Sequence, residues 1–440
     1  MSFNYKFPEI DEIQISNGLR ILLIPDSEQD GMVTVMQFPF GRFCDPDGYE
    51  GLSELTIGLL QKGTQNISSE QFAEKLEFAG ANLMADSGEE HLSIGLRMLS
   101  RYQEELLPLF FEMIMKPGLD SGEFARLQKE MFTSLQAETV DQNVIANRHF
   151  YLEIAGKKHP AGKFHTLESV KKIKLPEVKK FYDDYFSPKG AILAVAGNFD
   201  VNQFKSRWLP VLESWDKKRT GKVCIADEVT FSGISIRLVD KPELTQTSLI
   251  LGHPAPGELN PDKNEIALAN YILGAGNFSS RLMNRIRSFG GKTYGISSQI
   301  TSERKFGTFT ISTSTQNSQL GEVLKSIIDV YTRFCNEGVT EEELRKAARF
   351  AIGNLAFQLE GIGNIAEKLL WLRFYDRPNS YIENFEEMIN MISLDSINKV
   401  IKKHFSPDSM AIVAVGRKKE IIDQIKSFGD VKQFHFRDRF

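Results

Sequence analysis

The stretch "IKLPEVKKFYDDYFSPKGAILAVAGN", Ile173–Asn198, has a second copy in this chain. The copy is "ISLDSINKVIKKHFSPDSMAIVAVGR", Ile392–Arg417, and the two align without a gap. Each predicts an amphipathic helix that stops at Phe-Ser-Pro, because proline lacks an amide hydrogen and clashes with the preceding turn. Each then predicts a strand, "AILAVAG" or "MAIVAVG", apolar at nearly every position and so buried on both faces. Both strands close on a glycine, Gly197 and Gly416. Ile173 and Ile392 stand 219 residues apart in a chain of 440 residues, the offset that a duplicated domain produces.

The join falls near "ESWDKKRTGK", Glu213–Lys222, a polar and basic stretch whose Thr-Gly marks a loop. The expected division is a first domain over 1–216, a linker over 217–228 and a second domain over 229–440. Strand "ISIRLVD" opens the second half as "DEIQISNGLRILLIPD" opens the first, with Asn17-Gly18 as the hairpin turn. In the first half, apolar periodicity predicts helices over 70–78, 102–115, 121–137 and 143–155, and strands over 33–40 and 91–98. The fold class is therefore α+β: two homologous duplicated domains, each an antiparallel-rich sheet covered by helices on one face.

Composition narrows the function classes. Hydrophobic residues at 41% and charged residues at 25% describe a globular protein large enough for two cores. A net charge of -5 excludes the basic surplus of a nucleic-acid binder. No apolar run reaches the roughly 18 residues that span a membrane. The start, "MSFNYKFPEIDEI", shows no basic segment followed by an apolar one, so no signal peptide is expected. The three cysteines, Cys44, Cys224 and Cys335, are scattered and form no CxxC pair. They read as thiols of a reducing compartment, with neither disulfide nor metal role, and the expected location is cytoplasmic.

"GLSELTIGLLQKGT", Gly51–Thr64, reads as a helix with Leu52, Leu55, Leu59 and Leu60 on its apolar face and Gly63 beyond its end. Gly58 lies inside it, where glycine costs about 1 kcal/mol relative to alanine. Two readings stand open. Gly58 leaves space on a cavity-facing position, or it lets another backbone approach closely.

"NGLRILLIPD", "GRFCDPDGYEGLSELTIGLLQKGT", "HPAGKFHTLESVKKI" and "FSPKGAILAVAGN" together resemble the insulinase-type zinc peptidase family, M16. That family includes the mitochondrial processing peptidase and the core subunits of the bc1 complex. The resemblance covers nearly the whole chain, in order and with the duplication. It implies an inverted zinc motif, His-x-x-Glu-His, on the opening helix, where two histidines at i and i+4 share a face and the glutamate takes a proton. Lys62-Gly63-Thr64 sets the register. The first histidine then falls on Glu54, the glutamate on Ile57 and the second histidine on Gly58, so all three positions are degenerate. The family's third ligand, a glutamate on a later helix, falls on Ser134 or Leu135, with Glu130 and Glu138 one turn off. No two histidines stand at i, i+4. "GEEHL" reads as a strand that puts only Glu89 and His91 on one face, and two ligands make no zinc site. No metal is therefore expected in this chain.

The second half carries a different signature, and that one is complete. "GAGNFSSRLMNRIRSFGGKTYG", Gly274–Gly295, predicts a helix capped by Ser279 or Ser280, with Leu282, Ile286 and Phe289 as its apolar stripe. It resembles the family's second signature, which implies that Arg287 and Tyr294 bind substrate and stabilise the transition state. "GANLMADS", Gly80–Ser87, resembles the family's edge strand, which holds extended peptide by strand addition. Met84, followed by Ala85, stands where that strand usually carries asparagine. The resemblance thus implies a subunit of a heterodimer with a zinc-bearing homologue, short unstructured peptides as substrate, and zinc on the partner chain only. The alternative is a non-catalytic structural subunit resembling the bc1 core proteins.

Overall fold

A computed structural model describes residues 5–287 and 293–438, with the side chains of residue 277 and residues 286–294 outside that description. The first sheet comprises β1 (Asp11–Gln14), β2 (Arg20–Pro25), β3 (Gly31–Phe38), β4 (Asn82–Ser87), β5 (Leu92–Leu99) and β6 (Ile192–Gly197). The second comprises β7 (Ile234–Asp240), β8 (Gln246–Pro256), β9 (Thr293–Ser302), β10 (Phe306–Gln316), β11 (Met410–Gly416) and β12 (Val431–His435). Their orders are β1-β2-β6-β3-β5-β4 and β12-β7-β11-β8-β10-β9. Five strands correspond one to one, and both sheets are antiparallel-rich, as the repeat requires. Parallel pairs are β2 with β6, β7 with β11, and β7 with β12. The outer strand beside β2 is the antiparallel β1, whereas β7 takes the parallel β12 from the far end of the chain.

The repeated segments fold alike. Helices Leu175–Tyr185 and Leu394–His404 stop just before Phe-Ser-Pro and lead into β6 and β11, in which every residue is buried. Their closing glycines have a steric reason. At Gly197, φ is +122° and a Cβ would lie 2.1 Å from the Gly31 carbonyl oxygen. At Gly416 it would lie 2.4 Å from Thr247 Oγ1.

The chain forms two compact units, and neither is continuous in sequence. One holds the chain up to Leu135, His165–Ile225 and Leu355–Asn384; the other holds Gln136–Phe164, Ala226–Asn354 and the chain from Phe385 on. Each sheet is thus covered on its second face by a helix from the opposite half of the sequence. In the first unit, Met32, Met36 and Phe38 point into the main core, while Val33 and Val35 are buried on the other face. Helix Ile362–Phe374 packs there on β3 and β6, and Val33 Cγ2 lies 3.8 Å from where a Gly363 Cβ would stand. In the second unit, Met410, Ile412 and Ala414 face the main core. Helix Gln142–Ile154 packs on β8 and β11.

That helix is also fastened by charge. Glu153 accepts hydrogen bonds from Ser235 Oγ at 2.5 Å, from Lys432 Nζ at 2.5 Å and from Arg237. Arg237 also donates to His149 Nδ1 at 3.2 Å and stacks over Phe434, 4.7 Å from the ring centre. Burial pushes the Glu153 carboxyl up, but the hydrogen bonds from Lys432, Ser235 and Arg237 outweigh it and hold the group at about 2. Burial, with the Arg237 charge beside it, lowers His149 to about 4 and keeps its imidazole neutral.

Candidate functional site

The opening helix runs Leu52–Leu60, and its first turn is built by two special residues. Gly51 has φ +98°, and a Cβ there would meet Met131 Cε at 2.8 Å. Because glycine offers no capping side chain, Asp45 supplies one from outside. Its carboxylate accepts from the amides of Gly51 at 2.7 Å and Ser53 at 2.8 Å, where the helix end attracts negative charge. Burial nonetheless pushes the Asp45 carboxyl up to about 7.

On this helix Ile57 is buried at 3% exposure and belongs to the main apolar core, while Glu54 faces solvent. Glu54 Oε2 lies 3.7 Å from His165 Nδ1. At Gly58, a Cβ would have Leu127 Cδ1 at 3.8 Å as its neighbour, with no backbone of another segment within 4 Å. Close backbone approach therefore does not explain the glycine; open space does. Gly58→Ala is expected to raise stability by about 0.5–1 kcal/mol, since it removes backbone entropy from the unfolded chain without a clash. A thermal or urea unfolding curve checks this, and a lower midpoint would count against it.

The helix that the resemblance designates for the third ligand, Ser121–Glu138, presents Leu135 and Met131 to the core, with Leu127 packed against it. Ser134 is exposed. Glu130 is engaged with Arg126 at 3.0 Å, and Glu138 with Arg148 at 2.9 Å. One isoleucine, one glycine and an apolar helix face do not fit a zinc ion. Among the described residues, no group of three or more His, Cys, Asp or Glu is placed to hold a metal. Purified without chelator, the chain is expected to carry far less than one zinc per molecule, which elemental analysis by mass spectrometry measures.

The remaining histidines have structural partners. His253 Nε2 lies 2.7 Å from Tyr331 Oη in the core, and His404 Nε2 lies 2.6 Å from Asp262. His159 accepts from the Ala161 amide at 3.2 Å and lies 2.9 Å from the Asp227 carbonyl oxygen. The reading of Glu89, Glu90 and His91 as strand residues is corrected: β4 ends at Ser87, β5 begins at Leu92, and the three lie in the turn between them. The physical cause is backbone docking. Arg42 and Phe43 donate to the carbonyls of Gly88 and Glu89 at 2.9 and 3.0 Å, which bends the chain there.

β4 pairs only with β5 in its sheet, with Met84 opposite Gly95 and Ala85 opposite Ile94. Met84 is exposed, and among the described residues no second strand pairs with β4 on its outer side. On the helix-covered face beside it lies a cleft of about 370 Å³, lined by Val35, Gln37, Met84, His91, Trp371 and Phe374 among others.

Arg287 closes the helix Arg281–Arg287, and Ser280 Oγ accepts from the Met283 amide at 3.4 Å at its start. The side chains of both Arg287 and Tyr294 lie outside the described residues. The backbone of β9 is informative, however. Thr293 pairs with Thr315 and Ile296 with Thr313, so β9 has one extra residue there. That bulge contains Tyr294 and Gly295.

A duplicated metallopeptidase scaffold with no metal-holding group among the described residues is the class that this fold and helix define. The chain belongs to peptidase family M16: residues 20–156 match the insulinase (peptidase family M16) description, and residues 172–350 match the peptidase M16 inactive domain. It is similar to the non-peptidase homolog YmxG of Helicobacter pylori, with 25% identity over 84% of this chain and 85% of that one. It is also similar to human mitochondrial-processing peptidase subunit beta, with 23% identity over 96% of this chain and 87% of that one. Among solved structures, a peptidase M16 inactive domain from Pseudomonas fluorescens superposes with a TM-score of 0.85. It has 24% identity and covers 93% of this chain and 98% of that one.

Proposed function

We propose that this chain is the zinc-less subunit of a two-chain M16-type peptidase, supplying Arg287 and Tyr294 to a chamber whose zinc is held by the partner chain. One observation carries the reading: the two halves have diverged unequally. The positions of the inverted zinc motif now hold Glu54, Ile57 and Gly58, while the arginine–tyrosine signature is intact. Decay of a functionless copy would spoil both halves alike.

The chemistry suits the residues kept. Hydrolysis of a peptide drives negative charge onto the carbonyl oxygen, and a guanidinium and a phenol are strong donors to such an oxygen. The β-bulge at Tyr294 and the outer edge of β4 support the same reading, the second as a ladder for an extended peptide. A relative named as a subunit of a processing peptidase agrees with it.

The test combines this chain with a zinc-bearing M16 homologue from the same genome. Cleavage of an unstructured fluorogenic peptide is expected from the mixture and from neither chain alone. Equal cleavage by the homologue alone would overturn the reading.

A further inference from the structure

We propose that Cys44 and Cys224 are a redox-reactive pair that closes to a disulfide on exposure to a hydroperoxide. The inference is independent of the proposed function and runs against the sequence expectation of isolated thiols.

The fold brings the two together from 180 positions apart. The Cys224 amide donates to Cys44 Sγ at 3.1 Å. Both thiols also point at one acceptor, the Lys222 carbonyl oxygen, at 3.8 Å from Cys44 Sγ and 3.6 Å from Cys224 Sγ. A sulfur this close to the other residue's own amide puts the two residues in direct contact, as a disulfide requires. Both residues are thiols in the structure. They differ in access: Cys44 is buried at 4% exposure, whereas Cys224 is only half-buried.

That difference orders the chemistry. A hydroperoxide reaches the Cys224 sulfur first. The sulfur attacks the terminal peroxide oxygen, the O–O bond breaks, and an alcohol (or water, from hydrogen peroxide) leaves with the thiol proton. Cys224 is then a sulfenic acid. Cys44 Sγ attacks that sulfur, the S–O bond breaks, and hydroxide leaves as water with the Cys44 proton. The pair loses two electrons and two protons, and the peroxide is reduced by the same two electrons. Burial of Cys44 keeps it from the oxidant until Cys224 has been activated, which favours the disulfide over further oxidation.

The position gives the bond a consequence. Cys44 directly precedes Asp45, whose carboxylate caps the Leu52–Leu60 helix. The Tyr185 hydroxyl donates to the Lys222 carbonyl at 3.3 Å, so the partner segment is itself docked. A disulfide here ties the two segments across a loop of 180 residues, and long loops gain most from a crosslink.

The experiment uses the full chain, treated with a modest excess of hydrogen peroxide and mapped by non-reducing peptide mass spectrometry. The expected product is a Cys44–Cys224 peptide pair that dithiothreitol releases, with free thiols in denaturant falling from three to one. The melting midpoint is expected to rise by roughly 5–10 °C on oxidation. In Cys44→Ser, dimedone should instead trap a sulfenic acid on Cys224. Three surviving thiols, a bridge through Cys335, or sulfonic acid without a Cys44–Cys224 pair would overturn the proposal, and the wild-type map decides it even if the variant misfolds.

Discussion

Arg287→Ala in the mixed two-chain preparation is expected to lower peptide cleavage by about 100-fold, with KM changed far less than kcat. The figure follows from the role: loss of one pre-oriented donor to a developing oxyanion costs about 2.7–4 kcal/mol, which is 10²–10³ in kcat. Tyr294→Phe removes one hydroxyl while keeping the ring, and so should give a similar loss with an unchanged fold. The control is Arg285→Ala on the same helix, which should leave the rate intact. If Arg287→Ala and Tyr294→Phe both cleave at the wild-type rate, the chain contributes neither donor, and a structural subunit becomes the better account.

The second large effect concerns stability. Glu153→Gln is expected to destabilise the unit built on β7–β12 by roughly 3–5 kcal/mol, because it leaves Arg237 buried without its counter-charge. The pH dependence carries the signature. Unfolded, the Glu153 carboxyl holds its proton below about 4.5; folded, it does so only near 2. Its contribution is complete above pH 4.5 and is lost as the pH falls towards 2. His149 acts in the same direction at higher pH. The unfolded imidazole binds a proton near 6.5 and the folded one near 4, so stability falls as the pH drops across that interval. The buried Asp45, raised to about 7, opposes the His149 effect between pH 7 and 4, so the signature is the difference between variants: the stability gap between wild type and Glu153→Gln should be constant above pH 4.5 and shrink as the pH falls towards 2. A gap that does not change between pH 5 and 3 would refute the assignment.

The repeat made most of the fold legible, because Phe-Ser-Pro and a strand buried on both faces are strong local signals. The helices at 69–78, 103–115, 121–138 and 142–154 lie within a residue or so of their expected ranges. The register that sets Glu54, Ile57 and Gly58 on the zinc-motif positions comes from the sequence; the structure adds that Ile57 lies in the apolar core and that Leu127 Cδ1 is the nearest neighbour a Gly58 Cβ would have, at 3.8 Å. What stayed hidden is long-range. Periodicity tells which face of the 142–154 helix is apolar but not which sheet receives it. The Glu153–Arg237–His149 cluster and the Cys44–Cys224 contact are likewise made across separations with no sequence signal. The turn at Glu89–His91 was misread because its bend comes from Arg42 and Phe43, not from residues of its own.

The traded helices have a bearing on ancestry. Once Gln142–Ile154 had come to roof the second copy's sheet and Ile362–Phe374 the first one's, neither copy could be deleted or split off at residue 216 without stripping a roof from the survivor. Duplication followed by such a swap works as a ratchet. It keeps a chain at double length whatever happens to the chemistry of either half, and this one has retained both halves.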